Sequence, residues 1–178
     1  DAYKNCILCG SPERKLLIRQ GEWNVLRCQE CGLGVLDPHP DQWELSDLYQ
    51  THYLEDLYGV GFEVGSVEMK RRLSHETHRI RFFRYAKRAG RLLDIGCGMG
   101  YFLAACRNWG YEVEGMDISE DSATYVRKHL NISVSVGTVE EIDYPPASFD
   151  VITMWHFLEH ARDPRVYLGK AHNWLKPN

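Results

Sequence analysis

The chain has 178 residues, 44% of them hydrophobic, and a formal charge of −4. That length accommodates one domain with an appendage, and the apolar fraction is enough to fill a core. No run of about 18 apolar residues exists to span a bilayer, and the opening DAYKNCILCG lacks a basic segment followed by an apolar one. Neither a signal peptide nor a membrane anchor is read, and a cytoplasmic location is expected.

The charge is unevenly spread. Residues 68–91 hold nine Lys/Arg against two Glu, whereas residues 112–163 hold three Lys/Arg against eleven Asp/Glu. A helix with a solvated basic face accounts for the first block better than a phosphate-binding surface does, so no nucleic-acid partner is expected.

Four of the six cysteines fall in residues 1–40, as Cys6-x-x-Cys9 and Cys28-x-x-Cys31 with 18 residues between the pairs, each pair followed by glycine. This is four-cysteine zinc spacing, in which each turn points two thiolates at one ion. Disulfides fit poorly in a chain with no sign of secretion. With four thiolates the ion has no open position for a water, so it is a structural Zn2+. Lys15 to Arg19 and Trp23 to Arg27 read as hairpin strands around Gln20-Gly21, the arrangement of a zinc ribbon. Cys97 and Cys106 read as small buried residues.

Asp37-Pro38-His39-Pro40 reads as a linker, because two prolines so close exclude helix and central strand. A short helix is expected over Trp43 to Tyr49, with Trp43, Tyr49, Tyr53 and Tyr58 as interdomain filler or a lid. From Ser66 to Arg88 apolar residues recur at Met69, Leu73, Ile80 and Phe83, a helical stripe. Leu92, Leu93 and Ile95 predict a buried strand, Gly96, Gly98 and Gly100 a turn, and Phe102, Leu103, Cys106 and Trp109 a helix. Further along come a strand over Tyr111 to Met116 ending at Asp117, a helix from Ser119 to about Leu130, and a strand over Asn131 to Val136. A loop at Pro145-Pro146, a strand over Phe149 to Met154 and a helix from Asp163-Pro164 to Leu175 complete the order. Such alternation predicts a parallel sheet with helices on both faces.

The glycine turn opens a helix at a sheet edge, where α/β folds bind ligands. A phosphate-binding loop needs Gly-Lys-Ser/Thr, which is absent, and a nicotinamide fingerprint needs a longer glycine spacing. Asp94 before the turn would repel a pyrophosphate and suits a ligand with a positive centre.

Asp94-Ile95-Gly96-Cys97-Gly98-Met99-Gly100 resembles the D-x-G-x-G-x-G loop of class I S-adenosylmethionine-dependent methyltransferases. Asp117 in VEGMDIS, the segment Gly137 to Glu141, Ser148 to Ile152 followed by His156-Phe157-Leu158-Glu159-His160, and Leu175-Lys176-Pro177 resemble later motifs of that family in order. The zinc ribbon resembles a module on a branch of these enzymes, many of which act on sugars or natural products. The resemblance implies an α/β, Rossmann-like methyltransferase sheet preceded by a small zinc-ribbon domain. The domains are then 1–40, ribbon; 41–90, helical linker or lid; and 91–178, the cofactor-binding domain. With four strands where the family has seven, the chain is expected to be a piece of a longer protein, its edge strand open to a homodimer.

The same resemblance implies that Gly96, Cys97, Gly98 and Gly100 approach S-adenosylmethionine. Asp94 orients its amino group, Asp117 takes the ribose diol beside Ile118, and Val139 packs on adenine. Thr138 stands where the family often has Asp, so Glu140 is a substitute acceptor for the adenine amino group. Trp155 and His156 face the methyl, with His156 a base for a hydroxyl acceptor or a packing residue. The pattern His156-x-x-Glu159-His160 also matches a zinc-peptidase motif, but it straddles a strand exit and is set aside. The expected function is methyl transfer to a small-molecule acceptor, such as a sugar or metabolite hydroxyl. A non-catalytic zinc-ribbon binding module and, behind it, a nicotinamide-dependent oxidoreductase are the alternatives.

Overall fold

The computed structural model describes residues 4–38, 63–161 and 163–177. The helix expected over Trp43 to Tyr49, the aromatics Tyr53 and Tyr58, and the His39-Pro40 half of the expected linker lie outside the described residues. Two compact units divide the chain, Asp1–Leu48 and Tyr49–Asn178.

The first unit is a three-stranded antiparallel sheet, β1 (Arg14–Gln20), β2 (Trp23–Cys28) and β3 (Gly34–Asp37), in the order β1-β2-β3. Gln20 pairs with Trp23, so the hairpin turns on Gly21-Glu22. The third strand was not expected. Four residues running into Pro38 look like the start of a linker, and only the ladder from Asn24↔Asp37 to Arg27↔Gly34 makes them a strand. Leu16, Leu17 and Ile18 stay well exposed, and the buried residues among those described in this unit are Cys6 and Cys28. Apolar burial alone is too small to hold so short a unit.

The second unit begins with α1 (Val67–Arg84), capped by Ser66, whose Oγ accepts the Met69 N–H at 3.1 Å. Its apolar stripe packs as the spacing predicts, with Met69 and Ile80 buried and Leu73 and Phe83 partly so, and Glu76 is buried within the same stripe. Then come β4 (Gly90–Ile95), α2 (Tyr101–Asn108), β5 (Tyr111–Asp117), α3 (Glu120–Tyr125), β6 (Ser133–Val136), β7 (Val151–Thr153) and α4 (Pro164–Trp174). The helix α3 runs on as a wider turn over Val126–Leu130 and stops at Asn131, which takes a left-handed conformation.

The four strands of this unit pair in parallel in the order β6-β5-β4-β7. Because side chains alternate along β4, Leu92 joins the layer built with α1, α2 and α3, whereas Leu93 and Ile95 join the layer of Met116, Val139, Phe149 and Trp174. All three β4 residues are fully hidden, each contributing on the order of 2 kcal/mol. Asp94, between them, shares the face of Leu92, toward α1.

Two elements are shorter than expected. Trp109 does not belong to the buried stripe of α2: the helix ends at Asn108, and the indole is 38% exposed with the Arg84 guanidinium 4.2 Å from its ring centre. The strand predicted over Phe149 to Met154 pairs with β4 only at Val151–Thr153. Phe149 instead bridges to Leu175, and its carbonyl accepts the Lys176 N–H at 2.8 Å.

Candidate functional site

Parallel pairing brings the ends of three strands to one edge. Asp94 lies opposite Gly115 on one side and Thr153 on the other, and Asp117 ends β5 opposite Val136. The loop from Gly96 to Gly100 turns over that edge. Its first two N–H groups, of Gly96 and Cys97, both reach the Met116 carbonyl, at 2.8 and 3.1 Å.

The loop needs glycine for two different reasons. A Cβ at Gly96 would fall 2.4 Å from Cδ2 of Phe157, so the turn is closed from below by an aromatic ring. Gly98 has φ +50 and nothing within 4 Å of where a Cβ would sit, which leaves open space above its backbone. A ligand can therefore approach the main chain at Gly98 without displacing any side chain.

Asp117 is half-buried beneath this opening. Its Oδ2 accepts the Gly98 N–H at 2.7 Å and its Oδ1 accepts the Ser119 N–H at 2.9 Å. Burial raises its carboxyl above the ordinary range, and the Ser119 and Gly98 N–H groups work against that. Ile118 beside it is 46% exposed. Each carboxylate oxygen has a second lone pair, so a diol can still be received.

Asp94 is 3% exposed, and its Oδ1 accepts the Thr153 hydroxyl at 2.7 Å. Burial pushes its carboxyl up to about 7, with the Thr153 hydrogen bond and the Arg79 charge opposing and the Asp117 and Glu76 charges assisting. A buried carboxylate in this state is stabilised by a cationic ligand.

Arg79 was not picked out among the many basic residues of α1. It is the guanidinium whose charge acts on Asp94, and it lies 5.3 Å from the Trp155 ring centre. Trp155 is wedged between helices, with Phe82 of α1 and Phe102 of α2 at 5.9 and 5.7 Å. Its indole Nε1–H is buried without a hydrogen-bond partner among the described residues, a donor available to a ligand atom.

His156 takes φ +53, uncommon for a residue with a side chain, and stands exposed with Nδ1 3.7 Å from Glu159 Oε1. On the other flank, Val139 is 1% exposed and gives its side chain to the core with Leu93, Ile95 and Trp174. Glu140 turns toward α4, where its carbonyl accepts Lys170 Nζ at 3.0 Å. Glu141 is the acid beside Thr138, accepting both its N–H at 3.0 Å and its hydroxyl at 2.9 Å. The spacing Thr-x-x-Glu, which at a helix start would mark a capping box, here closes a turn and is the signal that could have pointed to Glu141. Cys97 is buried, and its Sγ occupies the space where a Cβ on Gly115 would lie.

In the first unit the sulfurs of Cys6, Cys9, Cys28 and Cys31 lie within 4.8 Å of one another, with Cys6 to Cys31 at 3.5 Å and Cys9 to Cys28 at 3.6 Å. Four sulfurs about 2.3 Å from a tetrahedral ion are about 3.8 Å apart, so the donor set fits zinc. Burial opposes ionisation of Cys6, but the Cys9 and Leu8 N–H groups prevail and hold its thiol below the usual range.

A family model described as a methyltransferase domain matches residues 67–178, more than half of the chain. The chain is 36% identical over 93 residues to the ubiquinone biosynthesis O-methyltransferase of Idiomarina loihiensis, a match covering 49% of this chain and 38% of that protein. To the ubiquinone biosynthesis O-methyltransferase of Pseudomonas aeruginosa it is 34% identical over 113 residues, or 58% of this chain and 49% of that one. It thus spans less than half the length of these curated relatives. Among solved structures, a SAM-dependent methyltransferase from Archaeoglobus fulgidus aligns with a TM-score of 0.52 at 26% identity, covering 71% of this chain and 54% of that chain.

Proposed function

The chain belongs to the methyltransferase-domain family, with the class I S-adenosylmethionine-dependent fold, and from that premise we propose that it moves a methyl group from S-adenosylmethionine to a hydroxyl of a small molecule. The observation that carries the reading is the pairing of Asp117, beneath the open backbone of Gly98, with buried Asp94 one strand away. One carboxylate suits a ribose diol and the other an ammonium. The donor supplies a methyl made electrophilic by its sulfonium charge.

This chain's residues bind and orient. Asp94 receives the ammonium of the donor's amino-acid end, and Arg79 beside it receives the carboxylate. Asp117 takes the ribose hydroxyls, and the main chain at Val139 with the Glu141 carboxylate flanks the adenine. Positioning of this kind supplies most of the acceleration in an in-line displacement. His156, held near Glu159, takes the proton from the acceptor hydroxyl.

Hydroxyl acceptors are favoured by the two O-methyltransferase relatives and by the presence of a candidate base at the exit of β7. Neither a sugar nor an aromatic hydroxyl is singled out by the residues described. In the first unit, Cys6, Cys9, Cys28 and Cys31 hold a structural zinc ion. No helix among the described residues is long and apolar enough to cross a membrane.

Calorimetric titration with S-adenosylhomocysteine tests the donor site. Binding with one site per chain is expected, and its absence in zinc-replete protein refutes the reading.

A further inference from the structure

We infer that Glu76 is a positioning residue, whose ion pair with Arg79 holds that guanidinium off Asp94 so that it can receive the carboxylate of the donor. The inference rests on the donor site proposed above and concerns a residue that touches no part of the donor.

Position 76 falls in the apolar stripe Met69, Leu73, Ile80 and Phe83, where an aliphatic side chain would pack. Instead a carboxylate sits there at 3% exposure, as hidden as Asp94. Replacing a buried ion pair by well-packed apolar side chains commonly leaves a fold as stable or more so, so fold stability does not account for this glutamate.

The contacts of Glu76 do account for it. Arg72 Nη2 lies 3.0 Å from Oε1, one turn earlier on α1, and Arg79 Nη1 lies 2.9 Å from Oε2, one turn later. The Oε2 contact is a close charge pair without an aligned hydrogen bond, since that oxygen has no hydrogen-bond partner of good geometry. Arg79 is thereby held by Glu76 at one edge of its guanidinium, with the Trp155 ring 5.3 Å away, while its charge acts on Asp94 without an ion-pair contact.

Glu76 and Asp94 therefore compete for one guanidinium. Without the Glu76 charge, Arg79 is drawn onto Asp94, and the resulting pair occupies both the ammonium seat and the carboxylate seat. With it, Asp94 stays available to a cation, and the Arg79 guanidinium is already fixed by Glu76 before ligand arrives. Preorganisation of this kind increases affinity by reducing the ordering cost of binding.

The test uses calorimetry on the whole chain with two ligands, S-adenosylhomocysteine and methylthioadenosine, which shares the nucleoside and thioether but lacks the amino-acid end. For Glu76→Gln, homocysteine-ligand affinity is expected to fall about 10- to 100-fold, the range of one charge-assisted contact, with methylthioadenosine unchanged within about twofold. Arg79→Ala should show the same selective loss, and the double variant no further loss, as coupled residues do. Should Glu76→Gln fail to fold, Glu76→Met, which suits the apolar stripe, carries the same readout. Equal weakening of both ligands, or of neither, overturns the inference. Failure of the unaltered chain to bind S-adenosylhomocysteine is a separate result and strikes the donor site itself.

Discussion

The Gly98 N–H donates to Asp117 Oδ2 at 2.7 Å, across two neighbouring strand ends. This bond ties the glycine turn to the acid proposed for the ribose, so the two move as one unit when a nucleoside docks. Asp117→Ala is expected to weaken S-adenosylhomocysteine binding by about 100-fold or more, because it removes a charged acceptor and the tie together. Asp117→Asn keeps one acceptor and should lose less. Calorimetry of the two variants checks the order.

The two glycines of the turn should respond differently to alanine. At Gly96 the added methyl meets the Phe157 ring at 2.4 Å, on top of a φ of +74. A cost of roughly 2 kcal/mol or more is expected, seen as a lower urea midpoint. At Gly98 only the φ of +50 opposes the change, since no atom is near. Gly98→Ala should therefore cost about 1 kcal/mol in stability while weakening ligand binding more than Gly96→Ala does per unit of stability lost.

Asp94 links stability to pH. The folded chain keeps this proton up to about 7, whereas an unperturbed aspartate releases it near 3.8. Between those values the folded state binds the extra proton, so this group's contribution is full below the lower value and falls as pH rises through the higher one. Unfolding in urea at pH 5 and pH 8 reads it out: relative to Asp94→Asn, the unaltered chain should lose stability as pH rises. A difference that does not change with pH would show that Asp94 is ionised throughout.

His156 is 78% exposed at its side chain and 3.7 Å from Glu159. As the base proposed above, it should respond to His156→Ala with a kcat lowered about 10²- to 10⁴-fold and S-adenosylhomocysteine affinity unchanged. A drop in donor affinity without a drop in kcat would assign it to binding instead.

The ribbon has little apolar burial of its own, so metal removal should undo it. A chelator is expected to release about one zinc ion per chain and to abolish the ribbon's cooperative transition. Every described helix lies in the other unit, so the helical circular-dichroism signal should persist. Cys28→Ser should mimic chelation. Loss of both signals together would tie the stability of the second unit to the metal.

The sequence by itself determined what local patterns encode. The two C-x-x-C turns, the strand-glycine-helix run at Leu92 to Leu103, the acid at Asp117 and the helix starts at Ser119 and Asp163 all depend on residues close together in the chain, and each is found where the spacing puts it. What depends on residues far apart was decided only by the tertiary structure. The ribbon's third strand exists through its pairing with β2, and Phe149 left its expected strand because Leu175 offered a partner. Val139 went to the core because it packs with Leu93, Ile95 and Met116, which come from β4 and β5. Among nine similar basic residues, Arg79 stands out only once α1 is laid against Trp155 and Asp94. Glu76 falls by spacing in the apolar stripe of α1, but only packing shows it buried between two arginines. Charge on a helix is written in sequence, but burial and the distance to another charge are set by how the elements pack, and it is those that turn a carboxylate into a site.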